Sequence, residues 1–171
     1  MRSEVMPLGV VIERRALDNP WEPYAWTAVA VVPGGGDEAG AGWRLLEEDE
    51  RRQRWYAGTL PLELHRRATD GYLYNLAHDT PRIYVELRED EEGAHDVMAF
   101  AVTACPFEAQ SALDSEGSLV EGVPMPDIVR SWVAEFCEAF HVDQPHYKRK
   151  RKPWDPRKGG PPPGAVRGSG A

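Results

Sequence analysis

The sequence predicts an α+β fold, a curved antiparallel sheet or small open barrel packed against a C-terminal amphipathic helix. Two observations lead there. Period-two runs rich in β-branched and aromatic residues follow one another with few helical stretches between them. The stretch PDIVRSWVAEFCEAFHV then carries apolar side chains at helical spacing, and beyond Val142 that periodicity stops.

Taken in order, MPLGVVIER places Met6, Leu8, Val10 and Ile12 on one strand face, and residues 26–32 form a second strand. VVPGGGDEAGAG, residues 31–42, follows where a phosphate-cradling loop would sit. Such a loop opens a helix whose N-terminal amides face the phosphate, usually with a lysine in reach. Here Trp43 begins another strand-like segment and no lysine precedes Lys148, so the stretch reads as an inter-strand loop. In residues 55–64, Tyr56, Leu60, Leu62 and Leu64 share a face, and Pro61 points to an edge position.

RATDGYLYNLAH, residues 67–78, fits a short helix or a strand after a turn at Asp70-Gly71, with helix preferred. RIYVELRED is a half-solvated strand: Ile83, Val85 and Leu87 oppose Arg82, Tyr84, Glu86 and Arg88. The acidic EDEEGAHD joins it to VMAFAVTA, residues 97–104, as a hairpin. PFEAQSALDSEG reads as a short helix starting at Pro106 and stopping at Gly117. In the last helix Ile128, Trp132, Phe136 and Phe140 recur every fourth residue with Val129, Val133 and Cys137 beside them. This face is expected to close the core.

One domain over residues 1–142 and a basic, Pro/Gly-rich disordered tail over 143–171 are the expected organisation. Charge divides along the same boundary. Residues 1–141 hold 12 arginines against 26 acids, a net of −14, whereas residues 142–171 carry +6. HYKRKRKPW, residues 146–154, holds five consecutive cations, Lys148, Arg149, Lys150, Arg151 and Lys152. An acidic body repels nucleic acid; this run attracts polyanions, acidic protein surfaces and its own body alike.

The N-terminal residues contain a short apolar run broken by Pro7 and Gly9, which fits neither a signal peptide nor a membrane span. The expected location is the cytoplasm, where Cys105 and Cys137 stay reduced. Cys137 belongs to the apolar helix face, and Cys105, beside Pro106, is expected to be the more exposed thiol.

Candidate chemistry is sparse. The five histidines are scattered and no CxxC or HxxxH occurs, so no metal site is expected, nor any bound cofactor. Glu63 and His65 share a strand face, with Arg66 and Arg67 following; a solvated strand end accounts for them equally well. NPWEPYAW places Trp21, Tyr24 and Trp26 in a proline-punctuated loop, and RRQRW adds Trp55. Loop aromatics serve as binding anchors or as a plug at one end of a small barrel, and here the plug carries more weight.

An ordered string of motifs is more specific than any one of them: PLGVVIERRALDNPW, LPLELHRRATDGYLYNL, RIYVELR, VTACPFEAQSALDS, VEGVPMPDIVRSWVAEFCEAFHV and PHYKRKR. Together, over residues 6 to about 151, they resemble a bacterial family of unknown function encoded beside molybdenum-containing formate dehydrogenases. Some members of that family are labelled molybdopterin-guanine dinucleotide biosynthesis proteins. The resemblance implies an association with molybdoenzyme production and supplies no catalytic residue. The nucleotidyltransferase that the label names would need a glycine-rich loop opening a doubly wound α/β domain, and this chain has no βαβ alternation.

The resulting expectation is a non-catalytic accessory or assembly protein for molybdenum-dependent formate dehydrogenase. It would grip a dehydrogenase subunit or maturation factor through Trp21, Tyr24 and Trp26, with Lys148 to Lys152 steering the encounter. Two alternatives stand beside it: a nucleic-acid-binding module acting through the basic tail, and an enzyme handling a pterin or nucleotide with Glu63, His65, Arg66 and Arg82.

Overall fold

The computed structural model describes residues 3–34 and 43–143, of which those up to His141 belong to one compact unit. Residues 35–42 of the glycine-rich stretch, the cation run Lys148 to Lys152 and the expected tail, apart from its first residue, lie outside the described residues.

The fold is α+β; the described residues form two open antiparallel sheets, three α-helices and one short 3-10 turn at Arg66–Ala68. The first sheet contains β1 (Glu4–Ala16), β2 (Tyr24–Pro33), β3 (Arg44–Glu48) and β4 (Arg52–Leu64) in the order β2-β1-β4-β3. The second contains β5 (Arg82–Glu89), β6 (Val97–Thr103) and β7 (Ser118–Pro124) in the order β6-β5-β7. The helices are α1 (Thr69–Leu76), α2 (Pro106–Leu113) and α3 (Asp127–Phe140). β2 lies against β7 and β4 against β6, but among the described residues no ladder joins either pair, so the barrel stays open.

Alternation decides which side chains face inward. Leu8, Val10 and Ile12 of β1 meet Leu62 and Leu64 of β4, Ile83, Val85 and Leu87 of β5, and Val123 of β7 in one core. β1 is central, and its residues from Leu8 to Glu13 are buried on both faces. Bulges curve the sheets. Between β1 and β4 the register shifts after Gly9, and β4 takes up its one extra residue at Ala57-Gly58, where the Gly58 φ of 111° suits glycine. Gly9 also lies flat against the Tyr56 ring, where a Cβ would collide with it.

Several details depart from the expected ones. Pro61 does not mark an edge strand, since β4 lies between β1 and β3. However, β3 pairs only with residues 53–56, so among the described residues the Pro61 half of β4 has β1 as its single ladder partner. The preferred helix over residues 67–78 is present as α1. β7 had no clear signal, because SLVEGVP mixes glycine and glutamate into its alternation; its partner β5 and the core at Val123 hold it.

The α3 stripe is rotated from the expected one. Val129, Val133, Phe136 and Cys137 are buried, Trp132 and Phe140 are half-buried, and Ile128 is 62% exposed. A helix of this length touching one convex core buries a narrow stripe, and the i, i+4, i+7, i+8 set centred on Val133 takes it. Cys105 is also buried, at 3% exposure, against Gly71 of α1, contrary to the exposed thiol expected from Pro106.

Candidate functional site

A groove of about 850 Å³ opens where the start of β2 faces one end of the second sheet. One wall is the segment from Trp21 to Trp26; the other comes from the ends of β5, β6 and β7, including Leu87, Val97 and Leu119. The structure thus brings the three sequence-selected aromatics into one lining, although not as a single loop. Trp21 alone precedes β2, Tyr24 is its first residue, and Trp26 is inside the strand.

The three rings have different surroundings. Trp21 is 89% exposed; its backbone N–H donates to Asn19 Oδ1 at 3.0 Å, which fixes the turn while leaving the indole outside. Burying such a ring under a partner would contribute about 4–6 kcal/mol gross from its apolar area. Tyr24 carries the Arg14 guanidinium 4.1 Å from its ring centroid, a cation–π contact made possible because Arg14 pairs directly with Trp26 across the ladder.

Trp26, two residues further along the same strand face, joins an aromatic cluster. Its ring lies 5.4 Å from Trp43 edge-on, Trp43 stacks on His95 at 3.9 Å, and Trp55 lies 4.9 Å from His95. His95 comes from the β5–β6 hairpin, so the cluster ties that hairpin to the first sheet. Burial and the nearby Arg14 hold the His95 pKa below its usual 6.5. Trp26 Nε1 is buried without a hydrogen-bond partner among the described residues. Of the four aromatics weighed as a plug, Trp26 and Trp55 enter this cluster while Trp21 and Tyr24 stay exposed, and Trp43 and His95 are members that only the packing reveals.

The groove's polar groups are mostly carboxylates. Glu22, Glu89, Glu91 and Asp96 line it beside Arg88. An adjoining hollow of about 430 Å³, which shares Arg88, Glu89, Glu91 and Gly117, adds Asp90, Glu92 and Glu116. Arg88 is already engaged: its Nε donates to Glu86 Oε1 at 3.0 Å and its guanidinium lies 3.3 Å from the Phe100 ring centroid. Phe100 reaches that position because it is the extra residue of the β5–β6 bulge. Ser118 lines the groove, but its hydroxyl donates to Glu86 at 2.9 Å. Glu86 Oε1 is thus shared between the Ser118 hydroxyl and the Arg88 guanidinium.

Other titratable groups are placed as follows. Glu63 Oε2 and His65 Nε2 approach to 3.5 Å, the pairing that strand spacing predicted, while Arg66 stacks on Phe140 and Arg82 donates to the Gly122 carbonyl. Thr69 Oγ1, His141 Nδ1 and Asp70 form a cluster with distances of 3.0 and 3.7 Å. Both contacts fall on the same ring nitrogen, whereas a nucleophile–base–orienter relay uses the two nitrogens separately. Burial pushes the Cys137 thiol up to about 11 and the Tyr72 phenol up to about 12, so both stay protonated near neutral pH. Among the described residues no three His, Cys, Asp or Glu side chains converge as metal ligands. None of the described helices is long and apolar enough to cross a membrane.

Fold and groove together define a small α+β domain of two open sheets with an aromatic and acidic cleft at one end. Residues 7–152 match the family described as protein of unknown function DUF3305, and the chain belongs to that family. The matched region includes the cation run from Lys148 to Lys152. Comparison with curated proteins and with solved structures gave no match.

Proposed function

We propose that this chain is a non-catalytic accessory protein in the production of molybdenum-dependent formate dehydrogenase, holding a protein partner at the groove beside Trp21. The observation that carries the partner-binding part is the 89% exposed indole at the mouth of a cleft lined by aromatic and carboxylate side chains. A large rigid ring left in water at a concave surface is the usual anatomy of a binding anchor. The dehydrogenase connection draws on the family resemblance carried by the ordered motifs.

The test is affinity capture with the full chain as bait from bacteria grown on formate, comparing wild type with Trp21→Ala. A dehydrogenase subunit or maturation factor, identified by mass spectrometry, should be recovered with wild type and lost with the variant. Recovery of none by wild type would overturn the proposal.

A further inference from the structure

The groove's chemistry restricts its occupant. Seven carboxylates stand around it and its adjoining hollow: Glu22, the run Glu89–Glu92, Asp96 and Glu116. The lining cation Arg88 is tied to Glu86 and covered by Phe100. Exposed carboxylates around a shallow cleft give it a negative field that draws a cationic partner. An acidic or neutral segment would bring like charge or unpaired polar groups against them.

The aromatic wall already holds one guanidinium. Arg14 sits 4.1 Å from the Tyr24 ring centroid and 5.8 Å from that of Trp26. Trp21, the neighbouring ring, has no such occupant among the described residues and is almost wholly open. Half-buried Val97 and the 45% exposed Leu119 add apolar surface to the same lining. A segment alternating cationic and apolar side chains matches all three features.

We infer that the groove takes a basic, arginine-bearing segment of a partner protein, one guanidinium seated on Trp21 and others paired with the carboxylates of the β5–β6 hairpin. This rests on the partner-binding reading of the groove and names the partner's chemistry.

The full chain is titrated against a short fluorescein-labelled peptide of alternating arginine and leucine, and against its glutamate-leucine counterpart, with anisotropy as the readout. The arginine peptide should bind and the glutamate peptide should not. Trp21→Ala should weaken binding about tenfold or more. Glu89→Gln with Glu91→Gln should weaken it about fivefold at low salt, with the difference fading as salt rises. Glu47→Gln with Glu48→Gln, on exposed β3 away from the groove, should leave affinity unchanged and so exclude a general effect of the acidic body.

Equal binding of both peptides, or equal losses from the groove and β3 pairs, would overturn the inference. So would a single-stranded oligonucleotide bound with the same Trp21 dependence, or a dimer that Trp21→Ala converts to monomer. The two proposals fail separately. Arginine-peptide binding with no dehydrogenase factor captured removes the formate dehydrogenase role alone, and Trp21-dependent capture without peptide binding removes the basic-segment assignment alone.

Discussion

Asn75 grips the backbone of Arg82 from both sides: its Oδ1 accepts the Arg82 N–H at 3.0 Å, and its Nδ2 donates to the Arg82 carbonyl at 2.7 Å. The same Nδ2 donates to the Ala104 carbonyl at 2.9 Å. One buried amide on α1 thereby fastens the helix to the start of β5 and to the residue following β6.

Because three backbone groups lose their partner together, Asn75→Ala should destabilise the fold by about 2–4 kcal/mol. Asn75→Asp should cost at least as much, since a carboxylate has no donor for the two carbonyls. Urea unfolding of the three proteins measures both. A midpoint within error of wild type for either variant would mean that this amide does not fasten α1.

On α3 the rotated stripe separates positions that spacing alone would treat as equals. Phe136→Ala should cost about 3–5 kcal/mol, because the ring is nearly wholly buried against Tyr72 and Phe140. Ile128→Ser should change stability by about 0.5 kcal/mol or less, as the side chain is mostly in water. Trp132→Ala should fall between them. Equal losses at positions 128 and 136 would place the buried face where the every-fourth-residue pattern put it.

His95 should make the fold weaken in mild acid. Its folded pKa lies below 6.5, chiefly through burial among the indoles and secondarily through Arg14. The unfolded chain therefore takes up a proton near pH 6.5 that the folded chain refuses until lower pH. The stabilisation is fully present above that unfolded value and is lost as pH falls toward the folded one. Chemical unfolding between about pH 7.5 and about pH 5.5 should show a smaller acid loss in His95→Gln than in wild type. An identical loss in both would exclude His95 as a source of the acid sensitivity.

The strands at Met6–Ile12, Ile83–Leu87 and residues 97–104 were legible because alternation is local: a side chain's face follows from its neighbours two residues away. The same holds for α2 and α3, marked by proline at their starts and by apolar spacing, whereas α1 is only the preferred of two readings because Gly71 lies inside it. β7 escaped notice because its alternation is weak and its pairing with β5 supplies the missing stability.

Trp21, Tyr24 and Trp26, singled out from the sequence, line one groove together. Their sequence cannot specify that residues 87–97 and 117–119 form the facing wall, and neither Trp43 nor His95 carried any signal of its own. What the sequence determined by itself was most of the elements, though not β7, together with the acidic body and the aromatic content, since each depends on composition or on neighbours along the chain. Only the tertiary structure decided which α3 stripe is buried, how the two sheets face each other, and that carboxylates from the β5–β6 hairpin stand opposite an exposed indole. Those relationships join residues far apart in sequence, and they are fixed when the whole core packs at once.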